Sequence, residues 1–177
     1  EAMFGRIVIV NIQWDSQKYA EDFSFVPQYG EAVMDLLTVP TGSQVIDLGC
    51  GNGALSGKLA ERGYHVIGID DSETMIELAK KKHPDITFRK ENALSFWLDE
   101  PADAVFSNAV FHWIDEQDQQ RLLNNISENL CEGGELVTEF GGYRCADAVH
   151  KALEAEFSER GLPYFLAFYF PTIGMYA

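Results

Sequence analysis

Short apolar runs alternate with longer amphipathic stretches along most of this chain. Short runs rich in Val and Ile favour strands, and helical spacing of apolar residues favours helices. Strands are predicted at residues 45–48, 64–69, 86–89, 102–106 and 135–140, and helices at 31–37, 55–63, 72–83, 115–130 and 147–160. Pro84 ends the third of these helices and Gly133-Gly134 ends the fourth. The alternation predicts an α/β fold with a parallel sheet.

A dense glycine turn follows the first predicted strand. It reads D-x-G-x-G-x-G from Asp47 to Gly53, which is rare for an ordinary strand-to-helix turn. Glycine allows positive φ and a close approach of the backbone to a ligand, and a strand, glycine turn and helix form a nucleotide-binding unit. Gly49, Gly51 and Ala54 also satisfy the dinucleotide pattern G-x-G-x-x-G/A, so an NAD-dependent oxidoreductase is one interpretation of the turn.

An acid at the end of the second predicted strand supports nucleotide binding. Asp70 occupies the position from which a carboxylate accepts hydrogen bonds from both ribose hydroxyls. NAD enzymes and methyltransferases share this device, so Asp70 indicates adenosine without separating the two. The neighbouring Asp71 has an alternative role as the N-cap of the helix that follows.

Two further motifs carry a resemblance to a known family. The run from Ser107 to Trp113 reads S-N-A-x-x-H-W, and residues 14–30 contain W-D-x-x-x-Y, F-S-F-V and Y-G. Together with D-x-G-x-G-x-G, these motifs resemble the class I S-adenosylmethionine-dependent methyltransferases, in particular the trans-aconitate methyltransferase-like small-molecule group. The resemblance implies a Rossmann-like, doubly wound and mostly parallel sheet flanked by helices, with S-adenosyl-L-methionine as the cofactor.

The resemblance also implies a domain organisation. Residues 1–30 form an N-terminal lead and a lid over cofactor and substrate, and residues 31–177 form the methyltransferase core. Members of the family complete their sheet, in the order 3-2-1-4-5-7-6, with an antiparallel strand pair that this chain does not reach. We therefore expect the C-terminal antiparallel strands to be missing, which would leave the fifth strand as an exposed apolar edge.

Cofactor-binding residues follow from the resemblance, residue by residue. Asp47 helps to hold the turn and the amino end of the cofactor, Met75 lies against the adenine face or packs in the core, and Asn92 replaces the usual Asp as acceptor for the adenine amino group. Ser107 and Asn108 meet the methionine part. The full predicted set is Asp47, Gly49, Cys50, Gly51, Asn52, Gly53, Asp70, Asp71, Met75, Asn92, Ala93, Ser107 and Asn108.

Three aromatic side chains are predicted to shape the acceptor pocket: Tyr19 from the lid, and His112 and Trp113 after the fourth strand. A carboxylate acceptor is already ionised near neutral pH and needs no base. A nitrogen, hydroxyl or carbon acceptor would often need one, and His112 is the candidate. The alternatives to a methyltransferase are the NAD-dependent oxidoreductase and a non-catalytic module that binds S-adenosylmethionine.

Charge and cysteine usage restrict the partners. Among 177 residues, the formal net charge of −15 opposes binding to nucleic acid or to an anionic membrane surface. It does not help to recruit an anionic acceptor either. The three cysteines show neither metal-ligand nor disulfide spacing, and no apolar run approaches a membrane span, so we expect a cytoplasmic protein. The partner is then a small-molecule methyl acceptor, and the sequence leaves the oligomeric state open.

Overall fold

A computed structural model of the chain describes residues 26–176. Strands β1–β5 are Gln44–Leu48, His65–Asp70, Thr87–Lys90, Ala102–Asn108 and Leu130–Glu139. Helices α1–α6 are Val26–Val33, Ala54–Glu61, Glu73–Lys82, Gln119–Glu128, Asp147–Glu159 and Ile173–Tyr176, with single 3-10 turns at Met34–Leu36, Phe111–Trp113 and Glu116–Asp118. Most of the predicted lid, with Tyr19, lies outside the described residues.

The described strands form one sheet in the order β3-β2-β1-β4-β5, and all four pairings are parallel. This confirms the predicted α/β fold. The chain runs outward from β1 to β3, then crosses back to β4 on the other side of β1. The carboxyl ends of β1 and β4 therefore lie at the point where strand order reverses, which is where open α/β sheets bind ligands.

Alternating side chains of the central strands fill two separate cores, one on each face of the sheet. Ile46 and Val105 belong to a core that includes Leu122 and Ile126 of α4. The side chains of Val45, Ala104 and Phe106 point to the opposite face of the sheet. They belong to a core that includes Met34 of the first 3-10 turn and Leu59 of α2. Because both faces are covered, the central strands are apolar on both sides, as parallel strands between helices require.

The predicted end of the fourth helix is wrong. Gly133 and Gly134 lie inside β5, and the helix already ends at Glu128. The side chain of the buried Asn129 explains this, because its Oδ1 accepts from the Leu98 amide at 2.8 Å and its Nδ2 donates to the Asn125 carbonyl at 2.8 Å. These bonds terminate the helix, and Leu130 then pairs directly with Ala102.

Helix α5 occupies the predicted range but packs differently from a core helix. Its apolar stripe is Val149, Leu153 and Phe157, whose relative exposures are 58%, 40% and 36%. No residue of this helix is buried. Strand β5 pairs only with β4 within residues 26–176. None of the described helices combines the length and apolarity that a membrane crossing requires.

A carboxylate on the edge strand anchors the segment that leads into β1. Glu135 of β5 accepts hydrogen bonds from the Thr38 amide at 2.7 Å, the Thr38 hydroxyl at 2.8 Å and the Val39 amide at 3.1 Å. Partial burial raises the pKa of the Glu135 carboxyl, but the bonds from Thr38 and Val39 outweigh burial and hold the pKa below its ordinary value of 4.5. The ionised form is therefore the one that stabilises the fold.

We expect Glu135→Ala to lower the free energy of unfolding by about 2 kcal/mol at pH 7, because it removes three charge-assisted hydrogen bonds. Urea denaturation measures the change. Glu132→Ala is the matched control, since Glu132 is an exposed acid of the same strand. The difference between the two variants should shrink as the pH falls below the pKa of Glu135, because the carboxylate is then lost. Equal stability of the two variants at pH 7 would contradict the anchoring role.

Candidate active site

The turn from β1 to α2 contains three glycines with left-handed backbone. Gly49, Gly51 and Gly53 have φ of 77°, 51° and 79°. A Cβ at Gly49 would lie 2.2 Å from Cγ2 of Val110, so the turn or Val110 would have to shift. A Cβ at Gly51 would meet no atom within 4 Å. Gly49 is therefore required by packing against the β4 side, whereas Gly51 borders open space.

Backbone hydrogen bonds fasten this turn to the end of β2. The amides of Gly49 and Cys50 both donate to the Ile69 carbonyl, at 2.7 and 3.0 Å. The Gly51 amide donates to Oδ2 of Asp70 at 2.9 Å, and the Ser72 amide donates to Oδ1 of the same carboxylate at 2.8 Å. Burial raises the pKa of Asp70, and these two backbone bonds act in the opposite direction. Asp70 thus joins the glycine turn to the start of α3.

Asp47 is a buried carboxylate beneath the turn. It is 2% exposed, and its Oδ2 accepts a hydrogen bond of 2.5 Å from the Ser56 hydroxyl on α2. Burial raises its pKa from 3.8 to about 7, and the charge of Asp70 adds to this while the bond from Ser56 opposes it. Burial together with the charges of Asp47 and Asp70 also raises the pKa of the Cys50 thiol. The pKa values of Asp47 and Cys50 are therefore raised by burial and by neighbouring acids, and no cationic side chain is among the causes.

The predicted adenine side lies between the end of β2 and the residues after β3. Asn92 donates from Nδ2 to Oδ2 of Asp71 at 3.2 Å, and its Oδ1 accepts from the Leu94 amide at 2.9 Å. The alternative role of Asp71 as a helix cap is wrong, because Ser72 is the N-cap of α3 and accepts from the Met75 amide. Asp71 and Asn92 instead link two neighbouring strand ends.

The remaining predicted residues of this side have mainly backbone or packing roles in the described structure. Met75 is 6% exposed on α3. The Ala93 carbonyl accepts from Nδ2 of Asn125 at 3.1 Å. Within the glycine turn, Oδ1 of Asn52 accepts from the Ala54 amide at 3.2 Å and forms an Asx turn just before α2, whose N-cap is Gly53.

The predicted pair at the end of β4 divides into two roles. Ser107 is fully buried, and its hydroxyl donates to the Leu48 carbonyl at 2.8 Å, so it ties β4 to β1. Asn108 faces the other side of the sheet, and its buried Oδ1 has no hydrogen-bond partner among the described residues. A Cβ at Gly30 of α1 would lie 2.9 Å from Cγ of Asn108, so α1 approaches this amide closely. An unpaired buried acceptor is costly unless a ligand satisfies it.

His112 and Trp113 belong to an aromatic cluster, which also contains Phe168, Phe170 and His150. The ring centroid of His112 lies 5.5 Å from Trp113, 5.9 Å from Phe168 and 6.0 Å from Phe170. Trp113 and Phe168 meet edge to face at 4.6 Å. The segment carrying Phe168 is held in place because the Tyr169 amide donates to the His112 carbonyl at 3.0 Å. His112 is half-buried, and burial lowers its pKa.

The structure thus brings the sequence-predicted residues to the carboxyl ends of β1, β2, β3 and β4, apart from Tyr19, which lies outside the described residues. Sequence reasoning missed four neighbours: Ser56, Val110, Phe168 and Phe170. Helical spacing from the turn could have indicated Ser56, but only the fold places Phe168 and Phe170 over His112.

We expect Gly49→Ala to lower the free energy of unfolding by about 2–5 kcal/mol, because left-handed strain adds to overpacking against Val110. The matched control is Gly133→Ala, where φ is 81° but a Cβ would meet nothing within 4 Å. It should cost about 1–2 kcal/mol. Thermal or urea unfolding compares the two variants. Equal losses would show that Val110 yields to the added methyl group.

A family model and the similar proteins indicate the same family for this chain. A model of the family described as "Methyltransferase domain" matches residues 45–134. An uncharacterized methyltransferase of Schizosaccharomyces pombe is 32% identical over 73% of this chain and 52% of its own length. A trans-aconitate 2-methyltransferase of Rhizobium etli is 32% identical over 84% of this chain and 61% of its own length. The chain thus spans about half to three-fifths of these two relatives.

A solved structure shares the fold and much of the length. The TehB-like SAM-dependent methyltransferase of Corynebacterium glutamicum superposes with a TM-score of 0.63 and 27% identity, over 82% of this chain and 81% of that one. The glycine turn and the acid at the end of β2 lie within the matched family region. The chain therefore belongs to the methyltransferase domain family, in its class I S-adenosylmethionine-dependent branch.

Proposed function

We propose that this chain binds S-adenosylmethionine at the carboxyl ends of β1, β2 and β4 and takes part in methyl transfer to a small molecule. The observation that carries the proposal is the left-handed glycine turn, which presents open space at Gly51 directly beside the Asp70 carboxylate. An NAD-dependent oxidoreductase uses a similar turn, but the family assignment favours the methyltransferase.

The described residues fit this cofactor chemically. Asp70 accepts from two backbone amides and retains acceptor capacity for ribose hydroxyls. Asp47 is a buried carboxylate with no cationic partner among the described residues, and Oδ1 of Asn108 is a buried acceptor without a donor. Both groups suit the ammonium of a methionine moiety. Asp71 and Asn92 frame the adenine side, with Met75 buried behind them.

For methyl transfer, the main task of the protein is to position the cofactor and the acceptor. When bound, S-adenosylmethionine supplies a methyl group on a cationic sulfur. A lone pair of the acceptor forms the new bond to the methyl carbon, and the sulfur keeps the old bonding pair and leaves as a neutral thioether. Alignment of two reactants in one site is worth roughly 7–11 kcal/mol of the barrier. The turn and the aromatic cluster would provide that alignment from two sides. Tyr19 remains a predicted lid residue.

We propose a small carboxylate as the acceptor. The Rhizobium etli relative is named as a trans-aconitate 2-methyltransferase, which supports a carboxylate oxygen as the nucleophile. A carboxylate is ionised at neutral pH and needs no general base. That agrees with the half-buried His112, whose pKa is lowered by burial. The net charge of −15 would slow the association of an anionic acceptor. Because salt screens this repulsion, we expect the rate of methylation of a carboxylate to rise with ionic strength.

Calorimetric titration with S-adenosylmethionine, S-adenosylhomocysteine and NAD tests the cofactor. We expect the two sulfur nucleotides to bind and NAD not to bind. Gly51→Ala should weaken binding at least about tenfold, because its methyl group would project into the space that the cofactor uses. Gly133→Ala is the matched control, because Gly133 also has a positive φ but lies in β5 outside the turn, and this variant should bind as the wild type does.

Binding of NAD alone would overturn the assignment. Equal affinities of the Gly51→Ala and Gly133→Ala variants would place the cofactor elsewhere. A radiolabelled-methyl assay with mono-, di- and tricarboxylates, and with amines as the comparison class, then tests the acceptor. Transfer to amines but to no carboxylate would contradict the proposed acceptor and leave the cofactor assignment intact.

We expect the affinity for S-adenosylmethionine to rise roughly tenfold between pH 6 and pH 8. The pKa of Asp47 is about 7 without ligand, so the carboxyl is mostly protonated at pH 6 and ionised at pH 8, and the cofactor's ammonium prefers the ionised form. Asp47→Asn should remove most of this dependence. Asp85→Asn, which neutralises an exposed acid before β3, should keep it. An unchanged slope in the Asp47→Asn variant would assign the proton to another group, with Asp70 the nearest acid.

A further inference from the structure

The hydrogen bond that His112 makes to the backbone fixes the position of its proton. The Gly141 amide donates to Nδ1 of His112 at 3.2 Å. A backbone amide can only donate, so Nδ1 must carry a lone pair. A neutral imidazole whose Nδ1 is an acceptor bears its hydrogen on Nε2. The geometry therefore selects the Nε2–H tautomer, and protonation of Nδ1 would break the bond to Gly141.

The surroundings of His112 favour the same neutral form. The rings of Trp113, Phe168 and Phe170 pack around it. Burial is the cause of its lowered pKa, and no charged side chain contributes. His150 of α5 packs against Phe168 and Phe170, and it hydrogen-bonds to Tyr164 at 2.5 Å. Nothing in the described structure supplies an acid that would hold an imidazolium at this position.

We propose that His112 is a hydrogen-bond donor to an oxygen of the methyl acceptor, through Nε2–H, and is not the general base of the reaction. The inference rests on the proposed function. It deepens that function by giving His112 a role in recognising the acceptor, because a fixed N–H at the end of β4 can donate to a lone-pair oxygen such as that of a carboxylate. Nε2 of His112 makes no hydrogen bond within the described residues, so this donor is available to a ligand.

This assignment reverses the role that the sequence suggests for His112. A hydroxyl or nitrogen acceptor that must lose a proton needs a lone pair aimed at it, and the lone pair of His112 is directed at Gly141. A carboxylate loses no proton when it is methylated, so a donor that orients one carboxylate oxygen leaves the other lone pairs free to react. The aromatic cluster then serves to fix the plane of the imidazole ring.

Long-range ¹H–¹⁵N NMR of histidine-labelled protein tests the tautomer without any substrate. We expect the His112 ring to show the Nε2–H pattern from pH 7 to pH 8, with the signals assigned by their loss in a His112→Gln variant. An Nδ1–H tautomer or an imidazolium at pH 7 would overturn the inference. Because this measurement needs neither cofactor nor turnover, its outcome is independent of the proposed function.

Two variants separate the donor from the acceptor nitrogen of the ring. His112→Gln places an amide N–H near the position of Nε2 and loses the acceptor for Gly141, whereas His112→Asn retains an acceptor near Nδ1 and loses the donor. With the best carboxylate of the panel at saturating S-adenosylmethionine, we expect KM to rise roughly 10- to 100-fold in His112→Asn and less than about fivefold in His112→Gln. Thermal unfolding confirms that both variants fold.

Turnover completes the test. A donor predicts that kcat, measured with both substrates saturating from pH 7 to pH 9, is retained in His112→Gln. A general base predicts a loss of kcat in both variants. If no carboxylate is turned over, titration of trans-aconitate into the labelled protein with S-adenosylhomocysteine reports on the donor directly. A shift of the Nε2–H signal supports the inference, and an unchanged signal overturns it.

Discussion

The close approach of the glycine turn to its neighbouring strand ends is the constraint on which the rest of the site depends. Gly49 has no room for a Cβ beside Val110, and the next two amides are committed to the end of β2 through Ile69 and Asp70. This arrangement fixes the turn in a left-handed course that only glycine adopts without strain. Gly51 is left beside open space as a result, with its backbone exposed toward a ligand.

One buried and one partly buried acid give the site its electrostatic character. Asp47 and Asp70 lie on either side of the turn, and burial raises the pKa of both. Keeping two carboxyl groups in such a place costs stability unless a cation or hydrogen-bond donors compensate them. A cofactor that carries an ammonium, a cationic sulfur and ribose hydroxyls supplies those groups. The acidity of the pocket therefore favours this cofactor over one that presents a pyrophosphate.

The aromatic cluster around His112 is built from a different part of the chain. Phe168 and Phe170 come from an irregular segment that returns over the end of β4, and the bond between Tyr169 and His112 holds it there. This segment follows α5, whose apolar stripe is exposed in the described structure. The aromatic cluster partly buries the imidazole ring and so lowers its pKa, which agrees with our proposal that His112 orients an oxygen rather than removing a proton.

Local patterns in the sequence determined the parallel α/β fold and the position of the nucleotide turn, because hydrophobic period, glycine spacing and a terminal acid act over a few residues. They failed at Asn129, which ends α4 through side-chain bonds to Leu98 and Asn125, before the glycines that seemed to mark the helix end. A hydrogen bond between residues 31 positions apart leaves no local signal.

The sequence also placed His112 at the site but did not define its role. Only the tertiary structure decided which ring nitrogen accepts a hydrogen bond, since the donor is the amide of Gly141 after the next strand, 29 residues away. Gly49 and Gly51 look equivalent in the sequence motif, and only the tertiary structure distinguishes them. Gly49 packs against Val110 because strand pairing brings β4 beside β1, whereas Gly51 borders open space.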